Sequence, residues 1–404
     1  MTLGLSGAEA GLGAIALLLL AAQLPAIALL LSRLFQGPGR LPPLTPQPPH
    51  PDLIGSVSVV VPTLNEAQRI SPCLAGLTRQ SYEVREITVV DSRSEDGTVD
   101  LVKAAQQRDP RFRVITDDPL PAGWVGRPWA LHTGFLNSSE GSEWILGIDA
   151  DTQPQPGLVA SLVQAAQRYG YDLVSLSPQF ILKDLGEWWL QPALLMTLVY
   201  RFGPAGGGPS GASRVMANGQ CFLARRSLLQ ALDGYTVARR SFCDDVTLAR
   251  AAADWGAKVG FLDGAKLLKV RMYEGAAETW QEWGRSLDLK DAASPAQTWG
   301  DGLFLVAVQG LPLIASLGLG LALLLGISAP TIWLAWGINL FLLLVRFALL
   351  GAIAPSYDFS QTSFRKSWTF WLSPLADPLA ALRILLSAAR TPTRWRSRSY
   401  TSFS

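Results

Sequence analysis

The chain has 404 residues, of which 49% are hydrophobic and only 16% charged. Soluble domains carry about 25% charge, so this balance argues that part of the chain sits in lipid. The net charge of +2 supplies no basic footprint for nucleic acid.

In chain order, residues 10–34 come first, apolar for long enough to cross a bilayer, which takes about 20 residues. Gln23 and Pro25 interrupt the run, and both are tolerated in membrane helices. A cleaved signal peptide is the rival reading. The run is long for that, and no basic residue precedes it. Residues 1–35 are therefore expected to be a transmembrane anchor. Residues 36–52 are rich in proline and predict an extended, semi-rigid linker. Arg33 and Arg40 flank the anchor on that side, which places the domain that follows in the cytoplasm.

Residues 53–300 predict an α/β domain. Short β-branched runs recur at 57–61, 86–91, 112–116, 144–149 and 172–177, with helical patterns at 66–79 and 97–107 between the first of them. This rhythm predicts a parallel sheet covered by helices on both faces. Ligands of such sheets bind at the carboxyl ends of the strands. Residues 187–202 form an apolar helix, read as core or as a segment dipping into the bilayer to admit a lipid. A glycine-rich loop follows at 203–213.

Apolar segments return at 303–326 and 331–353. The link between them is too short to hold a domain, so 301–355 is expected to be a transmembrane hairpin. Arg346 is costly there and should face protein or snorkel. Residues 368–389 contain Asp377, Arg383 and two prolines, and four arginines follow (Arg390, Arg394, Arg396 and Arg398). Residues 356–404 are accordingly read as an interfacial helix with a basic cytoplasmic tail, giving about three spanning helices. Cys73, Cys221 and Cys243 are scattered, without metal-ligand spacing, and read as packing residues in a reducing compartment. His50 and His132 cannot supply a histidine-based metal site.

The chemistry concentrates where strands end. The fourth run closes in Asp149-Ala150-Asp151. With a strand period of two, both carboxylates can lie on one side, where they repel unless a cation is near. Mg²⁺ or Mn²⁺ takes oxygen ligands and commonly keeps substrate phosphates in its sphere, so a nucleotide-diphosphate sugar is the natural third party. The competing reading has Asp151 capping a helix that starts near Gln155. The first run leaves through Pro62 into Asn65 and Glu66. The second ends in Asp91, with Asp96 in the next turn. No Gly-x-Gly-x-x-Gly follows the first run, which argues against a dinucleotide fold. Asp244 and Asp245 open a further apolar helical pattern, where they either complement a helix N-terminus or do chemistry.

"PTLNE", "VVDSRSEDGT", "DAD" and "CDDVTLA" follow one another in the order of the family 2 glycosyltransferases with a GT-A fold, which the chain resembles over about 50–300. The resemblance implies that Pro62, Asn65, Glu66, Asp91 and Asp96 lie at the nucleoside and that Asp149 and Asp151 hold the metal and diphosphate. It makes Asp245 the catalytic base, with Asp244 orienting it. "GWVGRPWALHTG" places Arg127 where related transferases carry lysine, beside a phosphate or carboxylate. "NGQCFLARR" places Asn218, Gly219 and Gln220 beside the acceptor. The Gln-x-x-Arg-Trp of processive synthases is missing: Gln281 is followed four later by Arg285 and then Ser286. That segment is instead similar to carotenoid- and hopanoid-associated transferases, with Trp280, Trp283 and Arg285 on a membrane-facing helix at the acceptor site. The implied activity is inverting transfer to the hydroxyl of a membrane lipid, most like that of the carotenoid glycosyltransferases. The alternatives are another lipid acceptor (polyprenyl phosphate, hopanoid or diacylglycerol) or a non-catalytic scaffold on the same fold.

Overall fold

The computed structural model describes residues 2–208, 211–390, 394–395 and 398–399. Strands and helices alternate after α1 (Thr2–Leu34): β1 (Val57–Thr63), α2 (Ile70–Thr78), β2 (Val84–Asp91), α3 (Thr98–Gln106), β3 (Phe112–Thr116), α4 (Gly126–Leu136), β4 (Trp144–Ile148), β5 (Thr152–Pro154), α5 (Leu158–Tyr169), β6 (Leu173–Ser177), β7 (Gln179–Phe180), α6 (Leu185–Phe202), β8 (Cys221–Arg225), α7 (Arg226–Ala231), α8 (Asp244–Asp254), β9 (Val259–Asp263) and β10 (Leu268–Val270).

The main sheet has seven strands in the order β3-β2-β1-β4-β8-β6-β9. β1 pairs in parallel with β2 and β4, and β2 with β3. β8 runs antiparallel between β4 and β6, so the sheet is mixed rather than wholly parallel. The expected fifth strand does not sit beside the fourth, because the later 221–225 segment inserts there. The chain steps outward from β1 through β2 to β3, then returns to the other side of β1 for β4. That reversal opens a crevice outside the carboxyl ends of β1 and β4. Val57, Val59 and Val61 pack into one buried layer with α2 and α5, while Val60 packs with α4, α7 and α8 on the opposite face. The close seat of α4 depends on Gly134, where a Cβ would lie 2.2 Å from Val60 Cγ1.

The proline-rich segment is strapped to the domain rather than free. Leu41 N donates to Gly206 O (2.8 Å), Leu44 N to Asp263 O (2.8 Å) and Gln47 N to Ser161 Oγ (2.9 Å). The three cysteines are buried, as expected of packing residues.

Among the described residues four helical segments are long and apolar enough to cross a membrane: Glu9–Gly39, Pro295–Leu324, Pro330–Ser356 and Phe364–Ala388. The last has the lowest mean hydropathy, 1.2. It is irregular, a 3₁₀ stretch at Trp368–Ala376 leading into an α-helix at Asp377–Ala388. The side chains of the basic tail beyond Arg390 lie outside the described residues. Polar pairs bind these segments to one another. Gln23 and Asn339 exchange hydrogen bonds of 2.8 and 3.0 Å. Arg346 faces protein: its Nε meets Asp377 Oδ2 at 2.7 Å and its Nη2 meets Asp377 Oδ1 at 3.1 Å, with Gln309 Nε2 also donating to Oδ1 at 3.0 Å. Breaking a buried pair by removing one partner strands the other charge, at about 3–5 kcal/mol. Asp377→Leu is therefore expected to lower the melting temperature markedly, and Arg346→Leu/Asp377→Leu to recover most of the loss. A thermal melt of the full chain checks both.

Candidate active site

Two exits of the sheet are laced together first. Asn65 adopts the left-handed conformation (φ 55°). Its Oδ1 accepts from Glu95 N at 2.9 Å, and Glu66 N donates to Thr98 Oγ1 at 2.8 Å. Asp96 accepts from Ala67 N (2.9 Å), Thr98 N (3.0 Å) and Thr98 Oγ1 (2.5 Å). Asp91, buried at the tip of β2, accepts from Ser94 N (2.9 Å), Ser94 Oγ (2.6 Å) and Thr63 Oγ1 (3.1 Å). Asn65 and Asp96 thus shape the loops after β1 and β2, where Glu66 is buried; Pro62 lies within β1 itself.

The turn after β4 carries the second group. Thr152 N and Oγ1 both donate to Asp149 O, at 3.2 and 2.7 Å. Asp151 does not cap a helix: β5 follows it, and α5 starts only at Leu158 behind Gly157. Burial, reinforced by the neighbouring Asp149 charge, pushes the Asp151 carboxyl up to about 7. The two like charges are held together by the backbone.

The third group comes from the start of β8 and of α8. Asn218 N donates to Ser175 Oγ (2.6 Å), and Gln220 N to Asn218 Oδ1 (3.0 Å). Gly219 N donates to Asp245 Oδ2 at 2.6 Å. Asp244 is buried beside it. Burial raises both carboxyls, Asp244 to about 7, against the opposing pull of Arg127.

Arg127, at the second position of α4, joins these groups. Its Nε and Nη2 donate to Asp149 Oδ1 at 3.0 and 2.9 Å, its Nη2 also to Gly219 O at 2.7 Å, and its Nη1 pairs with Asp244 Oδ2. A Cβ at position 219 would lie 2.5 Å from Arg127 Nη2, so any side chain there would displace the guanidinium. One guanidinium therefore neutralises carboxylates from β4 and α8 together.

A cavity of about 560 Å³ opens onto this arrangement. Arg127, Asp149, Asn218, Gly219, Gln220, Asp244 and Asp245 line it, as do Trp283 and Arg285. Its other wall is apolar, with Leu195, Leu198 and Phe202 from α6 and Leu349 and Ile353 from the 330–353 helix. Pro62, Asn65, Glu66, Asp91, Asp96, Asp151 and Trp280 do not line this space.

The tryptophan segment differs from the membrane-facing helix expected of it. Trp283 is buried, its ring 5.8 Å from Phe180 and 6.4 Å from Tyr273. Trp280 packs under Arg383, whose guanidinium lies 5.6 Å from the ring centroid. A π turn at Thr279–Trp283 rotates these residues inward. Tyr273, Leu198 and Phe202 are cavity residues that motif reading passed over. The apolar run 187–202 followed by glycines is the signal that points to the last two.

The donors at the β4 turn suit a hard cation. Asp149 and Asp151 offer carboxylate oxygens only, and Asp149 already attracts a guanidinium. Among the described residues no three His, Cys, Asp or Glu side chains cluster as a metal site, so ligand oxygens would have to complete the coordination.

Residues 58–233 match the model of the glycosyl transferase family 2. That stretch, a little under half of the chain, matches as a family 2 glycosyl transferase domain. Over 242 residues it is 25% identical to the 4,4′-diaponeurosporenoate glycosyltransferase of Staphylococcus haemolyticus, covering 57% of this chain and 61% of that one. Over 131 residues it is 30% identical to the undecaprenyl-phosphate 4-deoxy-4-formamido-L-arabinose transferase of Pseudomonas fluorescens, covering 31% and 36%. The chain thus spans less than two thirds of the length of these relatives. The structure of a mannosyltransferase from Pyrobaculum calidifontis, solved with GDP-Man and Mn²⁺, superposes with a TM-score of 0.52 at 21% identity, over 93% of this chain and 99% of that one. The transferase domain has the GT-A fold, with its mixed sheet and its carboxylates at the strand ends.

Proposed function

We propose that this protein is an inverting glycosyltransferase, anchored in the membrane with its catalytic domain in the cytoplasm. It moves a sugar from a nucleotide-diphosphate donor to the hydroxyl of a membrane lipid, with a hydroxylated carotenoid as the acceptor. One observation carries the reading: a single cavity has Asp149, Arg127 and Asp245 on one wall and apolar residues of α6 and the 330–353 helix on another. A water-soluble acceptor has no use for the second wall. The similarity to a diaponeurosporenoate glycosyltransferase supports the carotenoid class.

The ends of β1 and β2 and the laced loops after them present Pro62, Glu66 and Asp91 to the nucleoside. Asp149 and Asp151 would hold Mg²⁺ or Mn²⁺, which when bound offsets the charge building on the leaving diphosphate. Asp245, fixed by Gly219 N, accepts the proton of the acceptor hydroxyl as its oxygen attacks the anomeric carbon in line with the departing nucleotide. Arg127 holds Asp244 in place beside it and opposes the upward push of burial on its carboxyl. Trp283 and Tyr273 close the cavity against water.

A phosphorylated acceptor is the second reading. Arg285 lines the cavity, and the undecaprenyl-phosphate transferase is a relative. Arg239, Arg240, Arg365 and Lys366, the basic pairs visible in the sequence, do not line it. Supplying the full chain with labelled nucleotide sugars and either hydroxycarotenoid or undecaprenyl phosphate separates the two. Label in the carotenoid fraction supports the first reading, and label only in the phosphate lipid replaces it with the second.

Leu198→Trp is expected to fill the apolar part of the cavity. KM for the lipid acceptor should rise about tenfold or more, on the scale of losing one side chain's apolar contact, while nucleotide binding is unchanged. Steady-state kinetics with the two substrates varied separately check this.

A further inference from the structure

A second concentration of charge lies away from the catalytic carboxylates. Arg33 stands in the last turn of α1 and Arg201 in the last turn of α6; Arg214 follows the glycine-rich loop and Arg250 is on α8. The guanidinium carbons of Arg201, Arg214 and Arg250 lie 5.1, 5.8 and 5.8 Å from the centroid of one ring, Phe202. Arg214 is paired with Asp301 at 3.0 Å. Among the described residues no carboxylate lies within 4.0 Å of Arg33, Arg201 or Arg250.

Backbone carbonyls take their donors instead. Arg33 Nη1 meets Tyr200 O at 3.1 Å, Arg201 Nε meets Thr197 O at 3.0 Å, and Arg250 Nε meets Val215 O at 3.2 Å. Arg250 is 5% exposed, and its Nη2 has no hydrogen-bond partner among the described residues. Burial pulls Arg201 down to about 10, Asp301 and Asp288 opposing and Arg214 and Arg250 adding to it. Carbonyl dipoles satisfy hydrogen bonds but do not cancel charge. A buried cation without a close counter-charge is costly; Asp301 and Asp288 oppose that cost at Arg201 only from beyond ion-pair distance, so an anion beside Arg33 and Arg214 would lower it further.

The structure provides a place for one. A pocket of about 50 Å³ is lined by Arg33, Arg214, Gln36 and Phe202. With a water's share of liquid at about 30 Å³, it has room for a compact anionic group and none for a sugar ring. It shares Phe202, Gly203, Pro204, Met216 and Phe261 with the active-site cavity but not Asp149 or Asp245. Arg33 and Asp301 belong to two of the apolar segments, Glu9–Gly39 and Pro295–Leu324, near the ends that meet the transferase domain. The pocket therefore lies at headgroup level.

We infer that this arginine-lined pocket binds the phosphate of an anionic membrane lipid, beside the acceptor cavity and separate from it. The bound lipid meets Arg33 and Arg214, the two arginines of the cluster that line the pocket, and fixes α1 and the end of α6 against the transferase domain. The site does not depend on which acceptor the enzyme uses. Free phosphate offers the same chemistry, but the position of Arg33 and Asp301 in the spanning segments favours a lipid.

Native mass spectrometry of the full chain in neutral detergent tests this, with dioleoyl phosphatidylglycerol against dioleoyl phosphatidylcholine and with inorganic phosphate as competitor. Phosphatidylglycerol should be retained preferentially. Arg33→Gln and the charge-balanced Arg214→Gln/Asp301→Asn should each reduce that preference about fivefold, the weight of one basic residue at a membrane surface. Arg33→Lys should keep it, as should Arg168→Gln at an exposed position on α5. An unchanged thermal shift with nucleotide shows that each variant is folded. Equal retention of the two lipids, or undiminished preference in folded Arg33→Gln and in the double variant, overturns the site. Displacement of the lipid by excess inorganic phosphate reassigns the pocket to a free anion and overturns the lipid assignment.

Discussion

Asp245→Asn is expected to reduce transfer about 10²- to 10⁴-fold, the usual contribution of a general base, while nucleotide binding stays near that of the parent protein. Asparagine keeps an oxygen for the 2.6 Å bond from Gly219 N, so the loop before β8 should hold its shape. Only the ability to take a proton is lost. The pH profile gives a second signature. Burial raises Asp245, as it raises Asp244. A raised carboxyl stays protonated to higher pH, and a protonated base is inactive. Transfer should therefore fall as pH drops, with an acid limb above the ordinary carboxylate value of about 4. Rapid-quench transfer assays across pH, paired with nucleotide titrations, check both features. Turnover retained in Asp245→Asn would move the base role to another group.

Arg127→Met is expected to be nearly as damaging, by a different route. Asp149 and Asp244 both lean on this guanidinium, and removing it leaves two carboxylates facing a cavity without their cation. Breaking such a partly buried network costs about 3–5 kcal/mol, and transfer should fall about 10²-fold or more as Asp244 loses its hold. Arg127→Lys should recover the charge but not the fork that spans Asp149, Asp244 and Gly219 O. Divalent cation should stabilise Arg127→Met more than the parent protein, because it replaces a missing positive charge. Thermal melts with and without Mn²⁺, beside kcat/KM, test this. Equal stabilisation of both proteins would show that Arg127 and the metal do not share Asp149.

Much of this site was legible from local pattern. β1 and β2 are β-branched runs that end in Thr63 and Asp91, and β4 ends at Ile148, just before the turn that carries Asp149 and Asp151. The position of β8 was not legible. Its strand character is local, but its antiparallel insertion between β4 and β6 depends on contacts made far along the chain. The same holds for Arg127, whose carboxylate partners lie 22 and 117 residues away. Arg346 could be read as costly in lipid, yet nothing in its own segment identified Asp377, 31 residues on, as its partner. Trp283 reads as an interfacial aromatic by type. A π turn, which no periodicity announces, carries it into the core. The proline-rich linker reads as a spacer because its composition is extended, and its straps to Gly206, Asp263 and Ser161 are tertiary.

The most direct measurement is the thermal shift of the full chain with UDP or GDP, in Mn²⁺ and in EDTA, for the parent protein and for Asp149→Asn/Asp151→Asn. Stabilisation is expected only when nucleotide and metal are both present, and only in the parent protein. At a nucleotide concentration 100 times Kd it amounts to about 2.7 kcal/mol. The same shift in EDTA, or in the double variant, would contradict a metal-bridged diphosphate at the end of β4.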